Sequence, residues 1–450
     1  SAGDTDAWND RIQKLFKAID EGQNLFETRI PAYNGGLFEF PSKEKDVDPE
    51  NKFLAKYELE GNYVKELLEL LIQTENEQGE KVFIDYEDLN IRHLGSIYEG
   101  LLEHELQEAE EDLVLESGEW TAASESSKDY SNVSENKRVE KGQVYLANES
   151  GERKATGSYY TPDYIVEYIV ENTVGPKVEE KLEGHPSREE IEEMPAEDQK
   201  EAENQKLSSI LDLDICDPAM GSGHFLVEAT DYIGHIIAEE IPLEHQDIDE
   251  EDDEVTWAKR QVVQNCIYGV DINPLAVELG KLSLWIETMA EGKPLNFLDH
   301  HLKHGNSLIG SDFDEIFTHP NNDAQKSLDN ERLGFGDPEK VKDDLKAQYR
   351  QIEKENDEET VEQVHKKEQR YREFTENNEL YKQLKQVANV HTRQYFNEEV
   401  DQTTYENILT REISSPTFSN YQEEEWFQKA QQDAENRNYF HWQLEFPKVF

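Results

Sequence analysis

The feature that most constrains the fold is a glycine-rich turn between a strand-like run and an amphipathic segment. The strand-like run covers residues 210–215, and the turn reads Asp-Pro-Ala-Met-Gly-Ser-Gly over residues 217–223. Glycine lacks a Cβ, so Gly221 and Gly223 permit a sharp turn and a close approach of the backbone to a ligand. A strand, a glycine turn and a helix in this order form the nucleotide-binding entry of an open α/β sheet. An ordinary strand-to-helix turn is the alternative interpretation.

A second strand-like run, residues 266–270, ends in Asp271, and a helix is predicted from residue 275 to about residue 289. A carboxylate at this place can accept hydrogen bonds from both hydroxyls of a ribose, and Ile272 can pack on an adenine face. Capping of the following helix is the alternative role for Asp271. Gly223 and Asp271 are 48 residues apart, whereas nicotinamide-binding units place the acid about 20 residues after the glycines. The spacing therefore argues against a compact dinucleotide site.

Four ordered motifs make a family resemblance specific. The segments DPAMGSGHF and GVDINPLAVELGKLSLW resemble motifs I and II of S-adenosylmethionine-dependent adenine-N6 DNA methyltransferases. Residues 157–162 (GSYYTP) resemble the motif that closes over the methionine part of the cofactor, and residues 304–308 (HGNSL) resemble motif III. Residues 32–38 (AYNGGLF) and 94–103 (LGSIYEGLLE) are similar to large type IIG restriction–modification enzymes and to methyltransferases of phage-defence systems.

The resemblance implies an α/β fold, with a Rossmann-like methyltransferase sheet, a helical N-terminal domain and a helical insertion. It implies S-adenosyl-L-methionine as the cofactor and double-stranded DNA as the partner of the intact enzyme. The implied cofactor contacts are Tyr160, Thr161 and Pro162 beside the methionine moiety, Asp217, Ala219, Gly221 and Gly223 beneath it, Asp271 at the ribose, Ile272 at the adenine face and Asn306 at the adenine edge. The family often has Asp where Asn306 stands. Capping of a helix, with Pro218 in its first turn, is the alternative role for Asp217.

The acceptor side of the reaction has no counterpart in this sequence. In the family, an Asn/Asp-Pro-Pro-Tyr/Phe tetrapeptide holds the target adenine, and none occurs in residues 1–450, although residues 440–450 resemble its lead-in. We therefore name no catalytic residue, and we expect a fragment that binds the cofactor but transfers no methyl group by itself. One alternative is a noncatalytic scaffold that binds S-adenosylmethionine or a nucleotide and presents helices to a partner. A nicotinamide oxidoreductase is disfavoured by the 48-residue spacing.

The charge of the chain restricts its partners. It contains 101 acidic and 45 basic residues, a formal charge of −56. Such a chain repels DNA at ordinary ionic strength, because Lys and Arg supply most non-specific affinity for phosphates. Adaptation to a salty cytoplasm would resolve the conflict, since the screening length is only about 3 Å at 1 M salt. The acids are scattered over predicted helix faces as well as clustered, which favours a halophilic origin over an acidic-partner role.

Other features bear on location and metal binding. The sequence contains no apolar run of 18 residues and no signal peptide, and it begins without Met. Cys216 and Cys266 lie in predicted buried strands, so we predict a protein of a reducing cytoplasm. The absence of a long apolar run predicts that it has no membrane span. His300, His301 and His304 lack the Cys or carboxylate spacing of a metal site, and we predict none.

The pattern along the chain predicts five regions. Helical periodicity over residues 8–30, 62–74 and 90–112 indicates a helical N-terminal domain, residues 1–115. A flexible connection over 116–150, with a short strand possible within 138–146, precedes the cofactor-binding core, residues 151–325, whose third strand is expected at 302–309. A helical insertion covers 326–440, with two antiparallel helices around an acidic turn near Asp357. We expect this insertion to be structural rather than a DNA-contacting arm. Residues 441–450 form the lead-in segment.

Overall fold

The structure is a computed structural model. It describes residues 6–21, 23–25, 28–30, 61–75, 80–84, 95, 104–116, 119–124, 133, 137–148, 161–246, 248, 253–290, 293–317, 337–353, 360–397, 400–409 and 418–450. The chain divides into two compact units, one formed by residues 1–88 together with 167–450, and the other by residues 89–166. The predicted domain boundaries remain predictions.

The N-terminal part of the first unit contains helices and short hairpins. Its elements are α1 (Asp6–Glu21), β1 (Gln23–Leu25), β2 (Thr28–Ile30), α2 (Gly61–Ile72), β3 (Gln73–Glu75) and β4 (Lys81–Phe83). The strands pair antiparallel as β1 with β2 and β3 with β4. The helix predicted over 8–30 therefore ends at Glu21, because the residues that follow pair as a hairpin.

The unit formed by residues 89–166 is rich in strands where a helix and a flexible connection were predicted. Its strands are β5 (His104–Glu108), β6 (Leu113–Glu116), β7 (Glu119–Ala122), β8 (Arg138–Val139) and β9 (Val144–Asn148). β5 pairs with β9, and β6 pairs with both β7 and β8, all antiparallel. The helix predicted over 90–112 is thus wrong from residue 104. The predicted flexible connection over 116–150 is likewise wrong at β7, which pairs with β6, whereas the short strand allowed within 138–146 agrees with β8 and the start of β9.

A parallel sheet lies at the centre of the larger unit. Helices α3 (Asp163–Leu182), α4 (Arg188–Glu192) and α5 (Ala196–Leu211) precede it, and the alternating elements that follow are β10 (Ile215–Asp217), α6 (His224–Glu240), α7 (Glu254–Asn265), β11 (Ile267–Asp271), α8 (Pro274–Glu287) and β12 (Leu302–His304). The strands are ordered β10–β11–β12 and all run parallel. This arrangement agrees with the predicted α/β class, while the complete Rossmann-like sheet stays a prediction.

Two strand predictions in this region need correction. Residues 210 and 211 end α5 rather than begin a strand, because Leu207 and Ile210 are buried with helical spacing. The third strand ends at His304 rather than at residue 309. There the Gly305 N–H donates to the Asp271 carbonyl, and the Asn306 side chain accepts from the Leu308 N–H, so the chain turns.

The predicted helical insertion is helical where the structure describes it. Its helices are α9 (Pro338–Glu353), α10 (Val361–Arg372), a π-helical turn (Glu373–Asn377), α11 (Glu379–Gln394), α12 (Gln402–Asn407), α13 (Phe418–Gln422) and α14 (Glu425–Arg437). Asp357 lies outside the described residues. The Tyr349 hydroxyl donates to the His300 carbonyl at 2.6 Å, which fastens α9 to the residues before β12. The helices share a buried apolar core that includes Leu345, Tyr349 and Leu384.

The last residues return to the parallel sheet. Residues 438–441 run beside the loop after β12, with a parallel bridge between Asn306 and Tyr439. A short helix, α15 (Trp442–Glu445), follows. Phe440 and Phe446 are buried and pack with Tyr268 and Val270 of β11. The C-terminal segment is therefore part of the core of this unit.

The few basic residues are unevenly placed. Among the described residues, the buried charged side chains are Lys206, Arg260, Lys281, Lys303, Lys367 and Arg393, with only Glu203 and Glu445 as buried acids. Almost all of the described carboxylates are therefore exposed or half-buried. None of the described helices is both long and apolar enough to cross a membrane.

Candidate cofactor-binding site

The loop after β10 folds back beneath β11. The Asp217 carboxylate accepts a hydrogen bond from the Ala219 N–H at 3.0 Å, and the Met220 N–H donates to the Val270 carbonyl at 3.0 Å. Gly221 and Gly223 have φ values of 55° and 84°, in the left-handed region that favours glycine. Local hydrogen bonds and two glycines thus produce a loop whose backbone lies at the carboxyl edge of the sheet.

The two glycines have different surroundings. A Cβ on Gly223 would lie 3.1 Å from the Gly280 Cα of α8, so this glycine allows α6 and α8 to pack closely. Among the described residues, no atom lies within 4 Å of a Cβ built on Gly221. Within that part of the chain Gly221 faces open space, and its missing side chain leaves room for a ligand above the loop.

Asp271 connects the two strand ends. One carboxylate oxygen accepts from the Gly221 N–H at 2.9 Å, and the other accepts from the Asn273 N–H at 2.8 Å. Asn273, whose side chain accepts from Leu275, is the N-cap of α8. Both helix-capping alternatives are therefore wrong, because Asn273 caps α8 and Gly223 occupies the N-cap position of α6. Each oxygen of Asp271 keeps a further lone pair for a ligand hydroxyl.

This edge of the sheet carries negative charge. Burial raises the pKa of Asp217, the Asp271 carboxylate raises it further, and the Ala219 N–H opposes both effects. Among the described residues, neither carboxylate has a Lys, Arg or His partner within ion-pair distance. Two neighbouring carboxylates without a cation provide a favourable environment for a ligand that carries hydroxyl donors or positive charge.

Ile272 and Asn306 lie on the neighbouring strand ends. Ile272 is 43% exposed, which is unusual for a large apolar side chain and leaves its surface available to a ligand. The Ile272 carbonyl oxygen lies 2.9 Å from Nε2 of His304. The Asn306 Oδ1 accepts from Leu308 at 3.1 Å, so its amide is oriented by its own loop. The fold thus brings Asp217, Ala219, Gly221, Gly223, Asp271, Ile272 and Asn306 to one edge of the parallel sheet.

A cavity of about 320 Å³ adjoins this edge. Residues of α3, including Ile169 and Thr173, form one wall, and Cys216, Asp217 and Pro218 contribute to another. Burial, together with the neighbouring Asp217 carboxylate, raises the pKa of Cys216 to about 12, so its thiol stays neutral. The sequence prediction missed the α3 wall, because helical periodicity does not show what a helix packs against.

The three residues predicted upstream remain untested as cofactor contacts. Tyr160 lies outside the described residues. Thr161 and Pro162 belong to the unit of residues 89–166. The Pro162 carbonyl accepts from the Ile165 N–H at 2.9 Å, in the first turn of α3. Their role at the methionine moiety stays a prediction.

The three histidines before the 305–311 loop do not converge on one point. The rings of His300 and His301 are buried with centroids 4.0 Å apart, whereas His304 is exposed. Burial, with a smaller effect from His301, lowers the pKa of His300 well below its ordinary value, so it is a neutral core side chain. Within the described ranges, no group of three His, Cys, Asp or Glu side chains is placed to hold a metal ion.

Comparison with known proteins finds a family match over part of the chain that includes this edge of the sheet. Residues 265–450 match the family described as Eco57I restriction-modification methylase. The match begins just before β11, so it includes Asp271, Ile272 and Asn306, together with the helical insertion and the C-terminal segment.

Two curated relatives agree with this class. The chain is 33% identical over 189 residues to a putative type II restriction enzyme and methyltransferase of Methanocaldococcus jannaschii, covering 37% of this chain and 16% of the relative. It is 29% identical over 161 residues to the adenine-specific methyltransferase BrxX of Escherichia coli O9:H4 (strain HS), covering 34% of this chain and 12% of that protein. The matched regions thus span about one sixth or less of these relatives.

Proposed function

We propose that this chain is the S-adenosylmethionine-binding part of a site-specific DNA adenine-N6 methyltransferase of a restriction–modification or phage-defence system. The observation that carries the proposal is the hydrogen bond from Gly221 to Asp271, which joins the two motif loops at one edge of a parallel sheet. Ligands of open α/β sheets bind at the carboxyl ends of the strands. The similarity of residues 265–450 to restriction-modification methylases supports the same function.

The residues at this edge suit each part of that cofactor. The bound cofactor would supply a methyl group on a sulfonium, activated for transfer to an adenine amino nitrogen. Asp271 would accept hydrogen bonds from the ribose hydroxyls, and the negative charge of Asp217 and Asp271 would favour the cationic end. Ile272 would cover an adenine face, Asn306 would meet the adenine edge, and the open space at Gly221 would accommodate the ligand against the backbone. Each role uses an exposed group or a lone pair that the fold leaves available.

The proposed substrate, adenine in DNA, rests on the motif resemblance and on the similarity to the adenine-specific methyltransferase of Escherichia coli. The target base must leave the helical stack before an enzyme can modify it. At the carboxyl edge of the sheet, the described charged side chains of the candidate site are carboxylates rather than Lys or Arg. We therefore expect other parts of the intact enzyme to contact the DNA phosphates, in high salt.

Replacement of Asp271 should weaken cofactor binding. We expect Asp271→Ala to reduce the affinity for S-adenosylmethionine by about 1–3 kcal/mol, because a charged hydrogen-bond acceptor is lost and the Gly221 N–H loses its partner. Isothermal titration calorimetry in about 1 M KCl, with S-adenosylmethionine and its demethylated product, measures the change.

A matched control separates this effect from a loss of stability. Among the described residues, the Asp253 carboxylate bonds only to Thr256, as the N-cap of α7, and to no residue of the candidate site, so Asp253→Ala should leave the affinity unchanged. Equal losses in both variants would contradict the role of Asp271. Tight NADH binding with no response to S-adenosylmethionine would overturn the proposed function and favour an oxidoreductase.

A halophilic origin, which we also propose, predicts a strong dependence on salt. Lowering KCl from about 1 M to 0.1 M lengthens the screening distance from about 3 to 10 Å, so repulsion among the surface carboxylates opposes the folded state. We expect a loss of a few kcal/mol, on the order of 3 °C in Tm for a chain of this length, measured by thermal denaturation.

NaCl at equal ionic strength serves as the control, because screening depends on ionic strength and NaCl should restore the Tm as KCl does. A Tm that is constant or higher at low salt would rule out the halophilic interpretation. That result would favour an acidic-partner role for this charge of −56.

A further inference from the structure

The loop after β12 is held from both sides. This 305–311 loop carries Asn306, the residue assigned to the adenine edge. On the sheet side, the Gly305 N–H donates to the Asp271 carbonyl at 2.9 Å. On the other side lies the segment 438–446, which approaches from more than 120 residues further along the chain. The shape of the loop is therefore not determined by local sequence alone.

Hydrogen bonds connect the two segments along their length. The Asn306 N–H donates to the Asn438 carbonyl at 2.6 Å, and the Phe440 N–H donates to the Ile309 carbonyl at 2.7 Å. Nε1 of Trp442 donates to the Ser307 carbonyl at 3.1 Å. Each bond fixes a different residue of the loop, so together they determine its backbone path.

Close packing restricts the same pair of segments. A Cβ on Gly305 would overlap the ring of Phe440, and a Cβ on Gly310 would overlap the Phe440 carbonyl group. Phe440 is 2% exposed, and its ring packs against that of Trp442 with centroids 4.9 Å apart. The two glycines thus form a slot that admits Phe440 against the loop backbone.

Salt bridges anchor the far end of the segment. Lys303 of β12 and Lys385 of α11 both contact the Glu445 carboxylate, at 3.1 and 2.6 Å. The segment 438–446 is thereby tied to the sheet and to the helical insertion at the same time. Movement of the segment would transmit directly to the loop that carries Asn306.

We propose that the segment 438–446 is a clamp on the 305–311 loop, in which Phe440 and Trp442 are positioning residues that hold Asn306 against the adenosine end of the bound cofactor. The inference rests on the proposed function and deepens it. The helical insertion then has a definite role, because α11 and α14 support the clamp at its two ends. Phe440 and Trp442 act through the loop and do not themselves touch the cofactor.

Trp442→Phe tests the clamp because it removes the bond to Ser307 and keeps an aromatic ring beside Phe440, although the smaller ring loses part of the packing with Phe446 and Phe450. We expect the affinities for adenosine and for S-adenosylmethionine to fall by the same factor, about fivefold. We also expect the Leu308 and Ile309 amides to exchange about tenfold faster in the unliganded chain, while the Gly305 amide, bonded within the sheet, keeps its rate.

Trp285→Phe is the matched control. Nε1 of Trp285 donates to the buried Asn296 carbonyl at 2.9 Å, so this variant loses an equivalent bond away from the loop. Trp285→Phe should leave the affinities for adenosine and S-adenosylmethionine unchanged, and also the exchange rates of the Leu308 and Ile309 amides. This holds even if it lowers the Tm as much as Trp442→Phe does. Wild-type affinities in Trp442→Phe, or equal effects of both variants, would overturn the clamp.

The outcomes for the clamp and for the proposed function are distinct. If the wild-type chain binds neither adenosine nor S-adenosylmethionine, the proposed function fails. Amide exchange then decides by itself whether the segment holds the loop: unchanged exchange of Leu308 and Ile309 in Trp442→Phe would refute the clamp as well.

Discussion

We expect Glu445→Leu to lower the free energy of unfolding by about 3–5 kcal/mol, because it leaves a buried cation without its partner. The Glu445 side chain is only 10% exposed and that of Lys303 only 7%, and their charged atoms lie 3.1 Å apart. Although burial opposes ionisation, Lys385 and Lys303 hold the pKa of Glu445 well below its ordinary value. Urea denaturation at neutral pH and constant KCl measures the change.

Two further variants make this prediction specific. The exposed pair Lys177 and Glu180 is 67% exposed on both sides, so Glu180→Leu should change stability by less than about 1 kcal/mol. Replacing the buried pair together, as Lys303→Met with Glu445→Leu, should recover part of the loss, since the buried Lys303 charge is removed and Lys385, 42% exposed, is left in contact with water. A Glu445→Leu variant as stable as the Glu180→Leu variant would show that Glu445 is not a buried anchor.

A second large effect is expected on acidification. His441 is fully buried; its Nδ1 accepts from the Ser311 N–H at 3.0 Å and its Nε2 lies 2.8 Å from the Asn389 Oδ1. Burial lowers the pKa of His441 to about 4; Glu445 opposes this shift, while Lys385 and His391 add to it. The neutral ring is therefore the form that the folded state requires.

The direction of the pH effect follows from this lowered pKa. Above pH 6.5, His441 is neutral in the folded and in the unfolded state, and its full contribution to the free energy of unfolding is present. As pH falls from about 6.5 to 4, the unfolded chain gains a proton that the folded chain does not bind, so about 3 kcal/mol of stability is lost. Urea denaturation at several pH values in constant salt measures this loss.

His441→Asn provides the comparison, because the Asn Oδ1 can accept from Ser311 but does not titrate. We expect this variant to be less stable than the wild type at pH 7 and to lose less stability on acidification. Carboxylates titrate in both proteins, so the difference between the two pH profiles isolates His441. Parallel profiles between pH 6.5 and 4 would contradict the assignment.

The sequence by itself determined those features that depend on neighbouring residues. Gly221 and Gly223 adopt the left-handed conformations that a tight turn requires. Asp271 follows directly after a buried strand, and Asn273-Pro274 begins a helix, so both strand ends were predictable from local pattern. The helices of the insertion were also predictable, since their apolar residues recur at helical spacing. These features were predictable because steric restrictions and helical periodicity depend only on residues that are close together in the sequence.

Tertiary structure decided the features that depend on distant partners. Residues 104–108 (HELQE) are mostly polar, residues 210–211 are apolar, and neither pattern distinguishes a helix from a strand; pairing of β5 with β9 and burial of Ile210 selected the outcome. The bond from Gly221 to Asp271 spans 50 residues, and the bond from Trp442 to Ser307 spans 135. No local pattern predicts that Phe440 enters the slot between Gly305 and Gly310, because such a contact forms only when the insertion between the two segments has folded and brought them together.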